Sequence, residues 1–308
     1  MRGYITDPGA DKGLRFATDL PEPTVAANEL LIDVRAYAVN RGELDLLRMR
    51  PDNWRPGQDL SGVVLATATD GSGPPVGTQI VGVVDDASWS ERVAVPTAWA
   101  SPLPGGVSFE QAASLPVAGL TAYRALLRGG GILGREVLVL GASGGVGQFA
   151  IQLAVAAGAR VTAQVTSPER FDEARRLGAT NVTVNLTEDG IGQFDLILVG
   201  VLGDTLTRAV RHLRPGGLAA VYGASGGAAE LGAAELLGAP NARIMGIIGS
   251  QPEDERGSDL GILAGFVADG RLEPVLGEVR GWEDTPVVLD GLRQRSVRGK
   301  AVLTVPAS

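Results

Sequence analysis

Cysteine is absent from all 308 residues, and histidine occurs once, as His212. Without cysteine there is no disulfide, no thiol nucleophile and no thiolate metal site. With one histidine, a zinc site of several imidazoles is excluded, and a histidine-based hydrolytic triad has little room. His212 follows Arg208 and Arg211 on a predicted amphipathic helix, so a solvated structural role is expected of it. Basic blocks are also missing. The formal charge is -8 with both signs scattered along the chain, so a nucleic-acid backbone is not an expected partner. The opening residues Met1-Arg2-Gly3-Tyr4-Ile5-Thr6-Asp7 carry no apolar signal-peptide run, and the cytoplasm is the expected location. The uncharged stretch from Val137 to Ala159 approaches the ~20 residues of a membrane span. Gly141, Gly144, Gly145 and Gly147, with Ser143, Gln148 and Gln152, argue against that, and no membrane is an expected partner. A chain so poor in acid–base groups is expected to take its chemistry from a cofactor.

What is present is glycine: 44 residues, roughly twice the usual share of about 7%. Such a chain turns often and brings backbone close to something. The length suits two domains. Up to about Leu115 the chain reads as short strands and turns. Leu30-Leu31-Ile32-Asp33-Val34-Arg35-Ala36, Gly62-Val63-Val64-Leu65-Ala66 and Gln79-Ile80-Val81-Gly82-Val83-Val84 are extended segments separated by Gly, Pro and Asp, which predicts a mainly β domain. Thereafter strands are predicted at 137–141, 160–165, 181–185, 195–200, 218–223 and 243–248. Helices are predicted between them at about 146–157, 168–177, 203–213 and 229–238, and again near 256–268. This alternation predicts an α/β class with a doubly wound, parallel six-stranded sheet. The last strand, Ala301-Val302-Leu303-Thr304-Val305, is expected to rejoin the first domain. The expected domains are therefore 1–116 with 269–308, and 117–268.

The buried-strand run Glu136-Val137-Leu138-Val139-Leu140 leads into Gly141-Ala142-Ser143-Gly144-Gly145-Val146-Gly147 and then an apolar helix. Val146, Phe149, Ala150, Leu153, Ala154 and Ala157 recur at helical spacing, and Gly158 sits at the C-cap before the strand Arg160 to Val165. Strand, turn, helix, cap and second strand follow in the order of a dinucleotide-binding unit, whose glycines admit the pyrophosphate to the helix N-terminus. Ser143, Gly144, Gly145, Val146 and Gly147 are the candidate contacts. Ala142 departs from the strict glycine pattern, and a tight strand–helix turn without ligand is the plainer alternative. An NAD site carries an Asp or Glu about 20 residues beyond the glycines, but here stand Gln164-Val165-Thr166-Ser167. The hydroxyls of Thr166 and Ser167 with the Arg170 guanidinium suit a ribose 2′-phosphate, which favours NADPH. Against this, Ser167 and Pro168 also suit a helix start, Arg170 also suits solvent, and Glu169 is an awkward neighbour for a phosphate.

Further segments carry a resemblance. Asn28-Glu29-Leu30-Leu31-Ile32 leads to Val39-Asn40, and Pro56-Gly57-Gln58-Asp59-Leu60-Ser61-Gly62 and Val76-Gly77-Thr78-Gln79-Ile80 follow. Then come Ser90-Glu91-Arg92-Val93, Ala112-Ala113-Ser114-Leu115-Pro116, Gly119-Leu120-Thr121-Ala122-Tyr123, Leu213-Arg214-Pro215-Gly216-Gly217 and Gly299-Lys300-Ala301-Val302-Leu303. In this order the chain resembles the medium-chain dehydrogenase/reductases, in the zinc-independent quinone oxidoreductase (zeta-crystallin-like) and enoyl reductase-like group. The resemblance implies a GroES-like domain, a Rossmann domain and a cleft between them. It also implies hydride transfer from NADPH to a quinone or other α,β-unsaturated carbonyl compound, and a homodimer with an edge near 229–250. Zinc relatives carry a Cys after the first long strand and a Gly-His-Glu run later. Here those places read Asn40-Arg41-Gly42-Glu43 and Gly57-Gln58-Asp59, so no metal ligand is expected.

Asn40 matches the family asparagine near the nicotinamide and is the first catalytic candidate, with a turn-capping amide as the alternative. Thr121 matches a cofactor-contacting threonine, with a helix-start cap as the alternative. Gly200, Gly223 and Ser225, at or just beyond the ends of two predicted strands, complete the cofactor set. The family tyrosine beyond the asparagine is replaced by Glu43, Asp45 and Arg48. Glu43 is the substitute proton donor, against the plainer reading of a solvated carboxylate. Arg48 or Trp54 suits a substrate wall, and Trp54 equally suits the core. A second family tyrosine is missing near Asn185, and Val199-Gly200-Val201 replaces an Asp-Ser-Val pattern. Two other functions stay open: a dinucleotide-binding redox sensor or structural partner with little turnover, and a zinc-free alcohol dehydrogenase.

Overall fold

The structure, a computed structural model, describes residues 1–186, 190–249, 251 and 255–307. The chain divides into two compact units. One comprises Met1–Leu120, Ser250–Gly270 and Pro274–Ser308; the other comprises Thr121–Gly249 and Arg271–Glu273.

The first unit opens with β1 (Gly3–Thr6) and β2 (Leu14–Ala17), an antiparallel pair. The long strand β3 (Glu29–Val39), helix α1 (Glu43–Met49), β4 (Asp59–Ala66), β5 (Gln79–Val83), β6 (Arg92–Pro96) and β7 (Ala100–Pro102) follow. Next come α2 (Phe109–Ala113) and α3 (Pro116–Arg128), whose residues from Thr121 on belong to the second unit. Ser108 caps α2 in a reciprocal box with Gln111, satisfying backbone donors that the first turn leaves unmade. β3 is the spine of this unit, pairing antiparallel with β4 and β6. Gly62 is required in β4 because a Cβ there would lie 2.2 Å from the Asp33 carbonyl oxygen.

In the second unit β8 (Glu136–Leu140), α4 (Gly145–Ala156), β9 (Arg160–Gln164), α5 (Phe171–Arg176) and β10 (Asn181–Thr183) come first. They are followed by β11 (Phe194–Val201), α6 (Asp204–Val210), β12 (Leu213–Ser225), α7 (Ala233–Gly238) and β13 (Arg243–Gly246). The six strands run parallel in the order β10-β9-β8-β11-β12-β13. That order reverses between β8 and β11, and ligands of doubly wound sheets bind beside such a reversal. Leu138, Leu140, Phe194, Ile197, Val199 and Ala219 form the core on one face. The uncharged stretch from Val137 to Ala159 is β8, a turn and α4, and no helix among the described residues is long and apolar enough to cross a membrane.

The chain then returns to the first unit through α8 (Arg256–Ala268), β14 (Leu276–Gly281), α9 (Thr285–Arg293) and β15 (Lys300–Thr304). β15 pairs antiparallel with β3 and parallel with β14, so the final strand does rejoin the first unit. The sequence placed the helix at 256–268 in the nucleotide domain, whereas its packing is on β7 and β5. The reason is local. The Arg256 guanidinium stacks 3.8 Å from the Trp99 ring centroid and pairs with Asp85 at 3.2 Å, while Gly257 lets the helix meet the Ala98 and Ala100 carbonyls.

Trp282, 1% exposed, anchors the tail to the β1–β2 hairpin. Phe16 meets its ring edge-on at 5.0 Å, and the Tyr4 hydroxyl donates to its carbonyl at 3.0 Å. Trp282→Ala is expected to lower unfolding free energy by about 3–5 kcal/mol, read as a reduced denaturant midpoint with unchanged slope. A loss below ~1 kcal/mol would show that the tail is not anchored here.

Candidate functional site

The turn after β8 is built to leave donors unmet. Gly141 takes a positive φ of 66° and accepts the Gly144 N–H at 3.0 Å, closing a tight loop. The N-cap of α4 is Gly144, and no side chain caps the helix. The first-turn N–H groups at Gly145, Val146 and Gly147 have no acceptor one turn earlier in the helix, and they sit at its positive end. Gly147 is explained by approach: a Cβ there would lie 2.6 Å from Ala142 Cα and from the carbonyl oxygens of Gly141 and Ala142. This cradle fits a dinucleotide diphosphate by its uncapped donors and by space that only glycine leaves. Gln164 holds it from β9: its amide oxygen accepts the Gly141 N–H at 3.2 Å, and its backbone carbonyl accepts the Ala142 N–H at 2.9 Å. Sequence reasoning noted Gln164 only as a missing acid.

Beside the turn, Arg170 Nη1 donates to Ser143 Oγ at 2.9 Å. Both residues line a small recess with Gln148 and Glu173, so a guanidinium is brought to the glycine turn. Ser167 is the N-cap of a short 3-10 turn, Pro168–Arg170, but makes no side-chain cap bond. Thr166 is exposed. A recess acid is present, as Glu173 rather than the Glu169 suspected from sequence.

Gly200 on β11 and Gly223 on β12 are neighbours. A Cβ on Gly223 would lie 2.2 Å from the Gly200 oxygen, and one on Gly200 would lie 3.0 Å from the Tyr222 ring. The Ser225 hydroxyl donates to Gly200 O at 3.3 Å. These three expected residues therefore gather at the carboxyl end of the sheet. Thr121 does not start a helix, as its plainer reading supposed: it is the sixth residue of α3, 6% exposed. Gly249 passes so close that a Cβ on it would lie 2.1 Å from Thr121 Oγ1.

In the first unit Asn40 follows β3 and is half-buried among charges. Its Nδ2 donates to Asp59 Oδ2 at 2.9 Å, and its Oδ1 accepts from Lys300 Nζ at 2.5 Å. Lys300 also donates to Asp59 Oδ2 at 3.0 Å, and Asp59 Oδ1 accepts the Val117 N–H at 2.8 Å. Asp59 is fully buried and Lys300 is 2% exposed. Glu43, at the start of α1, is also fully buried. Its two oxygens accept the Asn40 N–H at 2.6 Å and the Gln58 N–H at 3.0 Å. It is not the solvated carboxylate of its plainer reading; it ties two loops together. Burial, and next the charge of Asp59, raise its pKa to about 8 against the opposing Asn40 N–H, Lys300 charge and Gln58 N–H. Asp59 and Lys300 were not singled out from sequence, although a lysine opening the apolar run Ala301-Val302-Leu303 was a signal.

Arg48 is exposed and pairs with Asp45. The Trp54 ring carries Arg50 at 5.4 Å, and its Nε1 donates to Asp86 at 3.2 Å. The His212 ring nitrogens lie 3.0 and 2.8 Å from the Gly192 and Leu186 carbonyls, which ties down the approach to β11. Among the described residues no group of three or more His, Asp or Glu side chains could hold a metal ion.

Residues 145–263 match the family model described as zinc-binding dehydrogenase. A mitochondrial NAD(P)H oxidoreductase of Mus musculus is 33% identical over 249 residues, 70% of this chain and 63% of that protein. A 2-methylene-furan-3-one reductase of Solanum lycopersicum is 30% identical over 235 residues, covering 69% of this chain and 59% of its own length. The chain thus spans less than two thirds of these curated relatives. The quinone oxidoreductase of Escherichia coli, in complex with NADPH, shares the fold with a TM-score of 0.88 over 99% of this chain and 100% of its own, at 22% identity.

Two outcomes follow from the geometry. Gly147→Ala is expected to weaken calorimetric binding of pyridine dinucleotide by at least about ten-fold, ~1.4 kcal/mol, because helix and turn must part. Unaltered affinity would remove the turn from the binding site. For Glu43, whose pKa stands near 8 when folded, the proton is held more tightly in the folded chain than in the unfolded one at ~4.3. Its stabilisation is complete at acid pH and is lost as pH climbs toward the folded value. Glu43→Gln must set an amide NH2 against one of two backbone donors, costing on the order of 1–3 kcal/mol. The deficit against the parent should shrink between about pH 5 and about pH 8 in denaturant titrations. A deficit that is constant or grows would contradict the burial argument.

Proposed function

This chain belongs to the medium-chain dehydrogenase/reductase superfamily, in its zinc-independent quinone oxidoreductase-like group, and on that premise we propose that it is an NADPH-dependent reductase of quinones or other α,β-unsaturated carbonyl compounds. The observation that carries this reading is the glycine-capped α4, whose uncovered first turn has the Arg170–Ser143 pair beside it. NADPH, when bound, supplies the hydride. In this reading Ser143, Gly144, Gly145, Val146 and Gly147 hold the diphosphate, and Thr166, Ser167 and Arg170 hold the ribose 2′-phosphate. Thr121, Gly200, Gly223 and Ser225 contact the rest of the cofactor, and Asn40 donates a hydrogen bond to the carbonyl oxygen on which negative charge develops. In this reading Glu43, fully buried with its oxygens on the Asn40 and Gln58 N–H groups, places the Asn40 backbone. By their names, the mouse relative uses NAD(P)H and the tomato relative reduces a compound with a methylene group beside a ketone, which supports the cofactor and acceptor classes. Work in the cytoplasm belongs to the same reading, as does a homodimer joined along β13, the edge strand of the parallel sheet.

Spectrophotometric oxidation of NADPH and NADH against para-quinones, enals, enones and enoyl thioesters, with and without chelator, tests the proposal. Turnover with NADPH on one of these acceptors, insensitive to chelator, is expected. Dinucleotide binding without oxidation across the panel would overturn the reductase assignment. Arg170→Ala is expected to raise KM for NADPH about ten-fold or more, as for loss of a charge-assisted bond of ~1.5–3 kcal/mol, while leaving NADH kinetics alone. Equal effects on both cofactors would detach Arg170 from the 2′-phosphate.

A further inference from the structure

Arginine supplies nearly all the positive charge of this chain; lysine stands at two positions only, Lys12 and Lys300. Lys12 is at the surface, paired with Asp290. Lys300 is 2% exposed, an uncommon place for an ammonium unless it is paired. Its hydrogens go to Asp59 Oδ2 at 3.0 Å and Asn40 Oδ1 at 2.5 Å, with the Val39 carbonyl at 3.5 Å.

These partners settle an orientation. A side-chain amide can be turned over with little change of shape, and its neighbours decide which way it sits. An ammonium only donates, so Lys300 must face Oδ1 of Asn40. A carboxylate only accepts, so Asp59 must face Nδ2, as it does at 2.9 Å. Turned over, Asn40 would set NH2 against an ammonium and oxygen against a carboxylate, both repulsive in a buried site. The Asn40 backbone is fixed as well, by Glu43 Oε2 on its N–H at 2.6 Å. Of the two Nδ2 hydrogens, one is taken by Asp59, and the other has no acceptor among the described residues.

We propose that Lys300 and Asp59 are positioning residues that hold the Asn40 amide in one orientation, leaving its second Nδ2–H to bind the carbonyl oxygen of the acceptor. This rests on the reading that Asn40 meets that oxygen. Lys300 also draws electron density toward Oδ1, which strengthens Nδ2–H as a donor when charge grows on the acceptor. The ammonium thus acts through the amide and touches neither acceptor nor cofactor.

The test is a double-mutant cycle on the full chain with NADPH and a para-quinone, using N40A, K300M and N40A/K300M. D59N/K300M is added because it removes both charges and leaves no lone buried ion to compromise folding. K300M and D59N/K300M should lower kcat at least about ten-fold, ~1.4 kcal/mol, with Kd for NADPH changed less than about two-fold. N40A/K300M should be no slower than N40A, since Lys300 has nothing to act through once the amide is gone. Additive losses, or parental kcat in both charge-removed variants, would overturn the proposal. Parental kcat in N40A would instead overturn the reading of Asn40 itself. A second measurement needs no turnover: NMR of the ligand-free chain with nitrogen-labelled asparagine, the Asn40 amide being assigned by its loss in N40A. In the parent one Nδ2 proton is expected to be shifted downfield and slow to exchange through its bond to Asp59 while the other is not, and in D59N/K300M both should move toward the values of a solvated amide. An unchanged pair of resonances would show that neither charge holds the amide.

Discussion

The first unit is organised around one buried carboxylate. Asp59 Oδ1 accepts the Val117 N–H, and its Oδ2 accepts from Asn40 and Lys300. One side chain on β4 therefore engages the end of β3, the first residue of β15 and the beginning of α3. A buried ion pair contributes little net stability, because both charges give up their hydration. Its effect is selective. Any register of β15 other than Ala301 opposite Val39 would move the Lys300 ammonium away from Asp59 and leave two unpaired charges in an apolar sheet, at several kcal/mol. The aliphatic residues of β15 could pack in more than one register; Lys300 permits one.

The second unit is organised by the opposite device, a helix start left without a cap. Ser, Asp or Asn at the N-cap would stabilise α4 over glycine by only about a few tenths of a kcal/mol, and Gly144 forgoes that side-chain bond. The helix is held instead by its buried face, since Phe149, Ala150, Ile151 and Ala154 are fully enclosed. Burial of that kind is worth ~1.5–3 kcal/mol for a large apolar side chain, so a missing cap is easily offset. The donors that a cap would have occupied stay open. Stability and, in the proposed reading, dinucleotide binding are thus assigned to different parts of one element, its side-chain face and its first turn.

This division explains what could be read from the residues and what could not. The strands and helices of the second unit were legible because each carries its signal within a dozen residues, as the apolar run Glu136–Leu140 and the glycine-rich turn before α4 do. Gly147 was legible too, because a glycine in that place implies a close approach. The network at Asn40 was not, since Asn40, Asp59 and Lys300 are joined across separations of 19 to 260 residues. Periodicity carries no information over such distances. Glu43 illustrates the cost. Nothing local reveals that this carboxyl group is fully buried and not solvated, or that both its oxygens accept backbone N–H groups. The placement of α8 failed for the same reason, because Trp99 and Asp85 lie far back in the chain.

The two devices meet the same electrostatic difficulty. A chain with a formal charge of -8 repels anions at long range, and at physiological salt that repulsion is screened beyond about 8 Å. A diphosphate, or an oxygen gaining negative charge, must therefore be met by donors at contact distance. The first turn of α4 and the second Nδ2–H of Asn40 are donors of that kind: each is neutral, and among the described residues each is kept without an acceptor of its own by the way the backbone or its neighbours hold it. Behind the first stands a helix dipole, and behind the second stands a buried ammonium. Neither arrangement needs a cysteine or a histidine, and in the proposed reading that is how a chain with none of the first and a single copy of the second is equipped for hydride chemistry.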